Sequence, residues 1–268
     1  MPEDAQRLID TSTAHPARRY DYWLGGKDNF AADRRSADAI ARLAPLVPTW
    51  ARENRWFMRR VVAYLAREAG IRQFLDIGTG IPTSPNLHEV VQDIAPDSRV
   101  LYVDNDPIVL AHARALLTSG PLGRTAYLDA DLADPDAILN SDEVAATLDF
   151  TQPVALSLIA VLHFFHDAQD PHGIVRRLVG ALPSGSYLAI SHNTWDYLPA
   201  TKRAALESAV KDDGQCRERA EFTRFFDGLE LVDPGVVVLS EWRRDDTADL
   251  PLPEAWEISA YGAVARVP

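Results

Sequence analysis

Phe74-Leu75-Asp76-Ile77-Gly78-Thr79-Gly80-Ile81-Pro82-Thr83 decides the fold of this chain. Four residues of a short apolar strand run into a turn with two glycines. Glycine admits positive φ and lets a ligand approach the backbone. Ser84-Pro85 then opens a helix, with Ser84 as its cap and Leu87, Val90, Val91 and Ile94 on one face. A strand, a glycine turn and an amphipathic helix form the first half of a βαβ unit.

The alternation continues downstream. Arg99 to Asp104, Thr125 to Leu128, Val154 to Ile159 and Tyr187 to Ser191 read as further strands. Asp106-Pro107 and Asp170-Pro171 start helices between them. Val236 to Leu239 and Glu257 to Val267 read as two final strands with no helical pattern between them. This spacing predicts an α/β, doubly wound, mostly parallel sheet closed by an antiparallel C-terminal hairpin.

Upstream, Trp50 to Ala69 has apolar positions every three or four residues, with Thr49 as cap and Gly70 as stop. Asn54 is the exception on that face. Residues 17–44 carry Tyr20, Tyr22, Trp23 and Phe30 among charges, broken by Gly25-Gly26, and read as short helices around a turn. We divide the chain into a helical N-terminal cover, residues 1–48, and a Rossmann-like domain, residues 49–268.

The 268 residues are 47% hydrophobic, enough to form a core of this size. The longest apolar stretch, 153–165, is too short to cross a bilayer. Met1-Pro2-Glu3-Asp4 lacks the pattern of a secretion signal, so a cytoplasmic protein is expected. Cys216 is the single cysteine, which leaves no internal disulfide and no thiolate-rich metal site. The net charge of −12 argues against binding along a nucleic-acid backbone. Residues 15–72 nevertheless hold 12 Lys and Arg against 6 Asp and Glu. A solvated Arg-rich face is the simplest reading; a basic cover over an acidic body, or a site for an anionic substrate, is the sharper one.

In an open α/β sheet, ligands bind beyond the carboxyl ends of the strands. Three acids sit at three successive strand ends. Asp76 can face a cationic amine. Asp104 can accept from ribose hydroxyls, and Asp131 from the exocyclic amine of an adenine. A nicotinamide dinucleotide is disfavoured, because position 83 is Thr where its fingerprint has glycine and Asp76 would face the pyrophosphate. No Gly-Lys-Ser/Thr follows, so the turn is not a P-loop.

With these features the chain resembles the class I S-adenosylmethionine-dependent methyltransferases. It is similar above all to a bacterial family of S-adenosyl methyltransferases whose N-terminal segment is like Arg19-Tyr20-Asp21-Tyr22-Trp23-Leu24-Gly25-Gly26-Lys27-Asp28-Asn29-Phe30. The stretches Asn54-Arg55 and Gln73-Phe74-Leu75-Asp76 match as well. The resemblance implies a seven-stranded sheet, a helical cover and bound S-adenosylmethionine, with S-adenosylhomocysteine as product. It implies that Asp76 positions the methionine amine and that the backbone of Gly78, Thr79 and Gly80 passes beneath the ligand. It further implies that Asp104 holds the ribose, that Asn105, Asp131 and Leu132 meet the adenine, and that Ala160 ends the strand beside the reacting methyl. Pro82 departs from the third glycine of many class I enzymes and stiffens the loop.

Tyr20, Gly25 and Asn29 are expected to line the cleft as part of a lid, and Trp195 to meet the acceptor. His163, after the fourth strand, is the candidate general base; a fold-maintaining polar group is the plainer reading. His163, His166 and His172 share no clear ligand face, and no metal is expected. The expected reaction is methyl transfer to an O, N or C nucleophile of a small molecule. A non-catalytic S-adenosylmethionine-binding protein, a sensor or degenerate enzyme, is the alternative, and a nicotinamide oxidoreductase a more distant one.

Overall fold

Alternation along β1 (Gln73–Ile77) sends its side chains to two different cores. Phe74 packs with one cluster, and Leu75 and Ile77 with the other. The same division runs through β2 (Arg99–Asp104), where Val100 and Tyr102 face one layer and Leu101 and Val103 the other. Both faces of the strands are therefore covered, as a parallel sheet requires. The computed structural model describes residues 10–116, 119–211, 213–244 and 251–268.

The cover comprises α1 (Pro16–Trp23) and α2 (Ala31–Leu43), followed by the long α3 (Val47–Arg67). After β1 come α4 (Leu87–Ile94), β2, α5 (Pro107–Leu116), β3 (Arg124–Asp129), α6 (Pro135–Leu139) and α7 (Asp142–Thr147). Then follow β4 (Ala155–Ile159), α8 (Pro171–Val179), β5 (Tyr187–Asn193), α9 (Ala200–Val210) and α10 (Arg219–Thr223). The tail holds β6 (Glu230–Leu231), β7 (Val237–Val238), α11 (Ala255–Ile258) and β8 (Ala260–Arg266).

The sheet order is β3-β2-β1-β4-β5-β8-β6, with β7 also paired to β8. Strands β1 to β5 are parallel, and β8 runs antiparallel beside β5, with Ile190 opposite Ala263. β6 pairs with Ala265 and Arg266, whereas β7 pairs with Tyr261 and Gly262. The two short strands therefore share one edge of β8, interrupted by Asp233-Pro234-Gly235. This gives seven positions across the sheet filled by eight segments. The chain order reverses between β1 and β4, and the carboxyl ends of these strands open toward the cover.

Several local expectations need correction. α3 begins at Val47 rather than at Trp50, because Pro48 is tolerated in a first turn; Thr49 lies inside the helix and does not cap it. Ser84 does not cap α4. Asn86 stands at the cap position instead; Glu89 accepts from the Asn86 N–H, and Asn86 Oδ1 accepts from Thr83 N at 3.0 Å. In the tail, the expected strand from Glu257 starts only at Ala260, since residues 255–258 form a helical turn; β6 was not foreseen. Asp106 and Asp170 do cap their helices, accepting from Ile108 N and Gly173 N at 2.9 Å each.

Candidate active site

A cavity of about 520 Å³ lies between the carboxyl ends of the parallel strands and the cover. That size suits a small-molecule site. Its floor is the turn after β1. Gly78 takes φ +76° and Gly80 φ +67°. A Cβ on Gly78 would sit 2.5 Å from Val161 Cγ2, so the close approach of the loop after β4 requires glycine there. Thr79 Oγ1 donates to the Asp76 carbonyl at 3.1 Å and ties the turn to its own strand.

Asp76 is buried in the cavity wall, and burial pushes its carboxyl up to about 6, partly offset by the Ser157 hydroxyl and the Arg55 charge. Burial also raises Asp104, whose two oxygens accept from Gly80 N at 2.8 Å and Asp106 N at 2.9 Å. Asn105 Nδ2 donates to Asp131 Oδ2 at 3.2 Å, and Leu132 is buried beside them. Ala160 closes β4 at φ +55°, a left-handed conformation that a non-glycine residue seldom adopts. Asp76, Gly78, Thr79, Gly80, Asp104, Asn105, Asp131, Leu132 and Ala160 all line the one cavity.

The opposite wall brings Tyr20, Trp50, His163 and Trp195 together with Arg19. Two sequence candidates are not brought there. Gly25 and Asn29 lie outside the cavity wall, and the reason is local. Asn29 Nδ2 donates to Asp21 Oδ2 at 2.7 Å, and Asp28 N donates to the same oxygen at 3.0 Å. A Cβ on Gly26 would fall 1.9 Å from Asp21 Oδ1. The polar cluster around the two glycines thus seats the buried Asp21 and builds the α1–α2 turn.

His163 is buried, and burial together with the Arg19 and Arg217 charges pushes it down to about 3. It is neutral at neutral pH, but so weak a conjugate base has little driving force for taking a proton. Its Nδ1 has no hydrogen-bond partner among the described residues. His166 lies outside the cavity wall, and His172 stacks on Phe225 at 4.1 Å.

Other participants were missed in the sequence. Ala160 N donates to Ser191 Oγ at 2.9 Å, and Ser191 Oγ to Asn54 Oδ1 at 2.6 Å. Asn54 Nδ2 donates to Tyr20 Oη at 3.0 Å, and Tyr20 Oη to the Ala51 carbonyl at 2.9 Å. One directional chain of bonds thus joins β4, β5, α3 and the cover. Burial pushes the Tyr20 hydroxyl up to about 12, so it remains a donor. Arg55 donates to the carbonyls of Thr83 and Pro85 and anchors the loop after the glycine turn. Arg217, fully buried, donates to Phe165 O at 3.0 Å and Asp167 Oδ1 at 2.7 Å. It also meets His192 Nε2 at 3.0 Å and so shapes the segment after β4.

The strand order, the glycine turn after β1 and the acids at the ends of β1 and β2 and after β3 define a class I methyltransferase fold. The fold is shared with TnmH, at 19% identity and a TM-score of 0.52 over 88% of this chain and 60% of that one. The chain belongs to the S-adenosyl methyltransferase family, whose sequence pattern matches residues 2–268. A DUF574 family protein of Streptomyces avermitilis MA-4680 is 53% identical, with a TM-score of 0.92 over 97% of this chain and 100% of that chain. A Thermobifida fusca YX protein, provisionally described as a methyltransferase, is 40% identical over 97% of each chain, with a TM-score of 0.85. No curated protein matches the chain in sequence. S-adenosylmethionine is the cofactor that the family implies. The donor set fits it, because a buried, elevated carboxyl at the end of β1 calls for a cation, and the glycine floor carries no lysine or arginine that would favour a phosphate. Among the described residues, no helix is long and apolar enough to cross a membrane.

Proposed function

We propose that the protein transfers a methyl group from S-adenosylmethionine to an O, N or C nucleophile of a small molecule. The observation that carries this reading is Asp76, a buried carboxyl pushed up to about 6 in the wall of the cavity. Asp76 would hold the methionine amine, and Asp104 the ribose diol. Asn105, Asp131 and Leu132 would meet the adenine, over a floor formed by Gly78, Thr79 and Gly80. When bound, the cofactor supplies an electrophilic methyl on a sulfonium, a leaving group that is already activated. The protein's share is to hold the nucleophile in line and keep water out. Of the cover expected over residues 1–48, residues 1–9 lie outside the described residues; residues 10–48 serve as a cover over the domain of residues 49–268, with Tyr20 and Trp195 beside the acceptor. His163 is better suited to orienting the acceptor than to removing a proton from it. The acidic net charge and the concave, partly aromatic cavity wall support a small acceptor rather than a nucleic acid.

Calorimetric titration with S-adenosylmethionine and S-adenosylhomocysteine tests the cofactor site. Both should bind wild type and lose at least about tenfold in affinity with Asp104→Ala, which removes two charge-assisted bonds. Failure of both to bind wild type refutes the reading. Transfer of labelled methyl to an acceptor in a cell extract separates an enzyme from a non-catalytic binder.

A further inference from the structure

Arg19 is 5% exposed, and its guanidinium is only half used. Nη1 donates to Ser36 Oγ at 3.1 Å and to Asp213 Oδ2 at 2.8 Å. Nε is buried with no partner, and Nη2 bonds to no described residue. The Nε–Nη2 edge is the pair of parallel N–H groups that receives a planar carboxylate bidentately. Two more unpartnered nitrogens belong to the same wall of the cavity, Trp50 Nε1 and His163 Nδ1. The Trp50 and His163 rings meet edge to face at 6.2 Å, and each side chain is 7% exposed. Buried polar groups are ordinarily paired, so three orphans on side chains that line the cavity mark the place of a missing acceptor group. Around them stand Tyr20, Trp23, Phe164 and Trp195, which offer flat apolar surface.

We infer that the methyl acceptor is a carboxylate-bearing molecule with a planar apolar body, its carboxylate taken by the Nε–Nη2 edge of Arg19 with Trp50 Nε1 as a further donor. The inference rests on reading the cavity as a methyltransferase site. Asp213, which also lines the cavity, does not fill the role, because it takes Nη1 alone and leaves the Nε–Nη2 edge without a carboxylate. Nearby charges sharpen the selection. Lys202 also lines the cavity, and the carboxylates of Asp213 and Glu257, which line it too, disfavour a second anionic group on the ligand. His163, neutral, can turn an N–H toward the bound carboxylate or an acceptor toward a hydroxyl beside it.

The test uses 2-naphthoate and its neutral counterpart 2-naphthamide, titrated calorimetrically into the protein saturated with S-adenosylhomocysteine. Naphthoate should bind at least about tenfold more tightly than naphthamide. In Arg19→Gln, held at saturating S-adenosylhomocysteine, that ratio should fall to within about twofold. Should Arg19→Gln not fold, Trp50→Phe should weaken naphthoate about threefold or more and leave naphthamide unchanged. Equal binding of the two compounds to wild type, absence of binding by both, or a ratio indifferent to these substitutions overturns the assignment. If S-adenosylhomocysteine itself does not bind, the methyltransferase reading falls. The same ratio measured on the ligand-free protein then decides the carboxylate site separately.

Discussion

Replacing Asp76 by Asn should make the ligand-free protein more stable at pH 8 while disabling its cofactor site. The carboxyl is buried, and its folded-state value is raised from 3.8 to about 6. At about 1.4 kcal/mol per pH unit, ionising it in the fold costs about 3 kcal/mol more than in the unfolded chain. The sign follows from proton binding. Between pH 4 and 6 the native state holds this proton more firmly than the unfolded state does. Its contribution to folding is therefore fully present below about pH 4 and is lost as pH rises through 6. Asparagine has the same shape, carries no charge and can still meet the Ser157 hydroxyl. Urea unfolding of both proteins should give Asp76→Asn an advantage approaching 3 kcal/mol at pH 8, shrinking to near zero at pH 4. Differences taken at the same pH remove the titration of every other group. In parallel, affinity for S-adenosylhomocysteine should drop at least about tenfold in the variant. For wild type it should weaken by up to about tenfold per unit as pH falls below 6. A destabilised Asp76→Asn at pH 8, or a difference that is flat from pH 4 to 8, refutes the reasoning.

Arg217→Met should destabilise the fold by about 3–5 kcal/mol in urea unfolding, because Phe165 O and His192 Nε2 lose a fully buried donor. Gly78→Ala combines positive φ with a clash at Val161 and should cost stability beyond the roughly 1–2 kcal/mol of backbone strain alone; Gly80→Ala, with open space at its Cβ, should cost only that strain while still weakening the cofactor, as thermal melts with and without S-adenosylhomocysteine will report. Asn54→Leu leaves Ser191 Oγ without its acceptor and Tyr20 without a donor, so amides of α1 should exchange faster with deuterium while those of β1 stay protected. Gly26→Val displaces Asp21 and should loosen the cover to proteases; unchanged cofactor affinity and turnover in that variant would remove the lid reading.

What could be read from the sequence was whatever is decided within a few residues. The glycine turn, the acids at strand ends and the Asp-Pro caps of α5 and α8 follow from strand period and local hydrogen bonding, and all fall where expected. What stayed hidden depends on distant partners. Asn54 interrupts an apolar helix face, which is a visible oddity, but its partner Ser191 lies 137 positions away, and only the sheet order brings them together. Arg19 and Arg217 are two arginines among many until burial singles them out. Gly25 and Asn29 misled for the opposite reason. A glycine pair beside polar residues has the composition of a mobile binding loop, yet the need to seat one buried carboxylate, Asp21, explains it completely. β6, with two residues, is too short to show any period.

The attachment of the cover follows from three consecutive side chains. Helix α1 has eight residues, too few to hold itself together in water. Successive positions on a helix point about 100° apart, so Arg18, Arg19 and Tyr20 reach in three directions. Arg18, with His15, meets Asp106, two residues beyond Asp104, the acid proposed to hold the ribose. Arg19 pairs with Asp213 at the far wall. Tyr20 joins Asn54, whose bonds continue to Ser191 and Ala160 at the ends of the central strands. One turn of helix therefore ties the proposed cofactor half of the cavity, the proposed acceptor half and the strand ends together, and its order depends on all three ties. Occupancy of either half stiffens the same turn, which lowers the ordering cost for the other. Loss of the Arg18–Asp106 pair should then weaken ligands at the Arg19 wall, though the two are not in contact, and a double-mutant cycle of Asp106→Asn with Arg19→Gln should show energetic coupling rather than additivity.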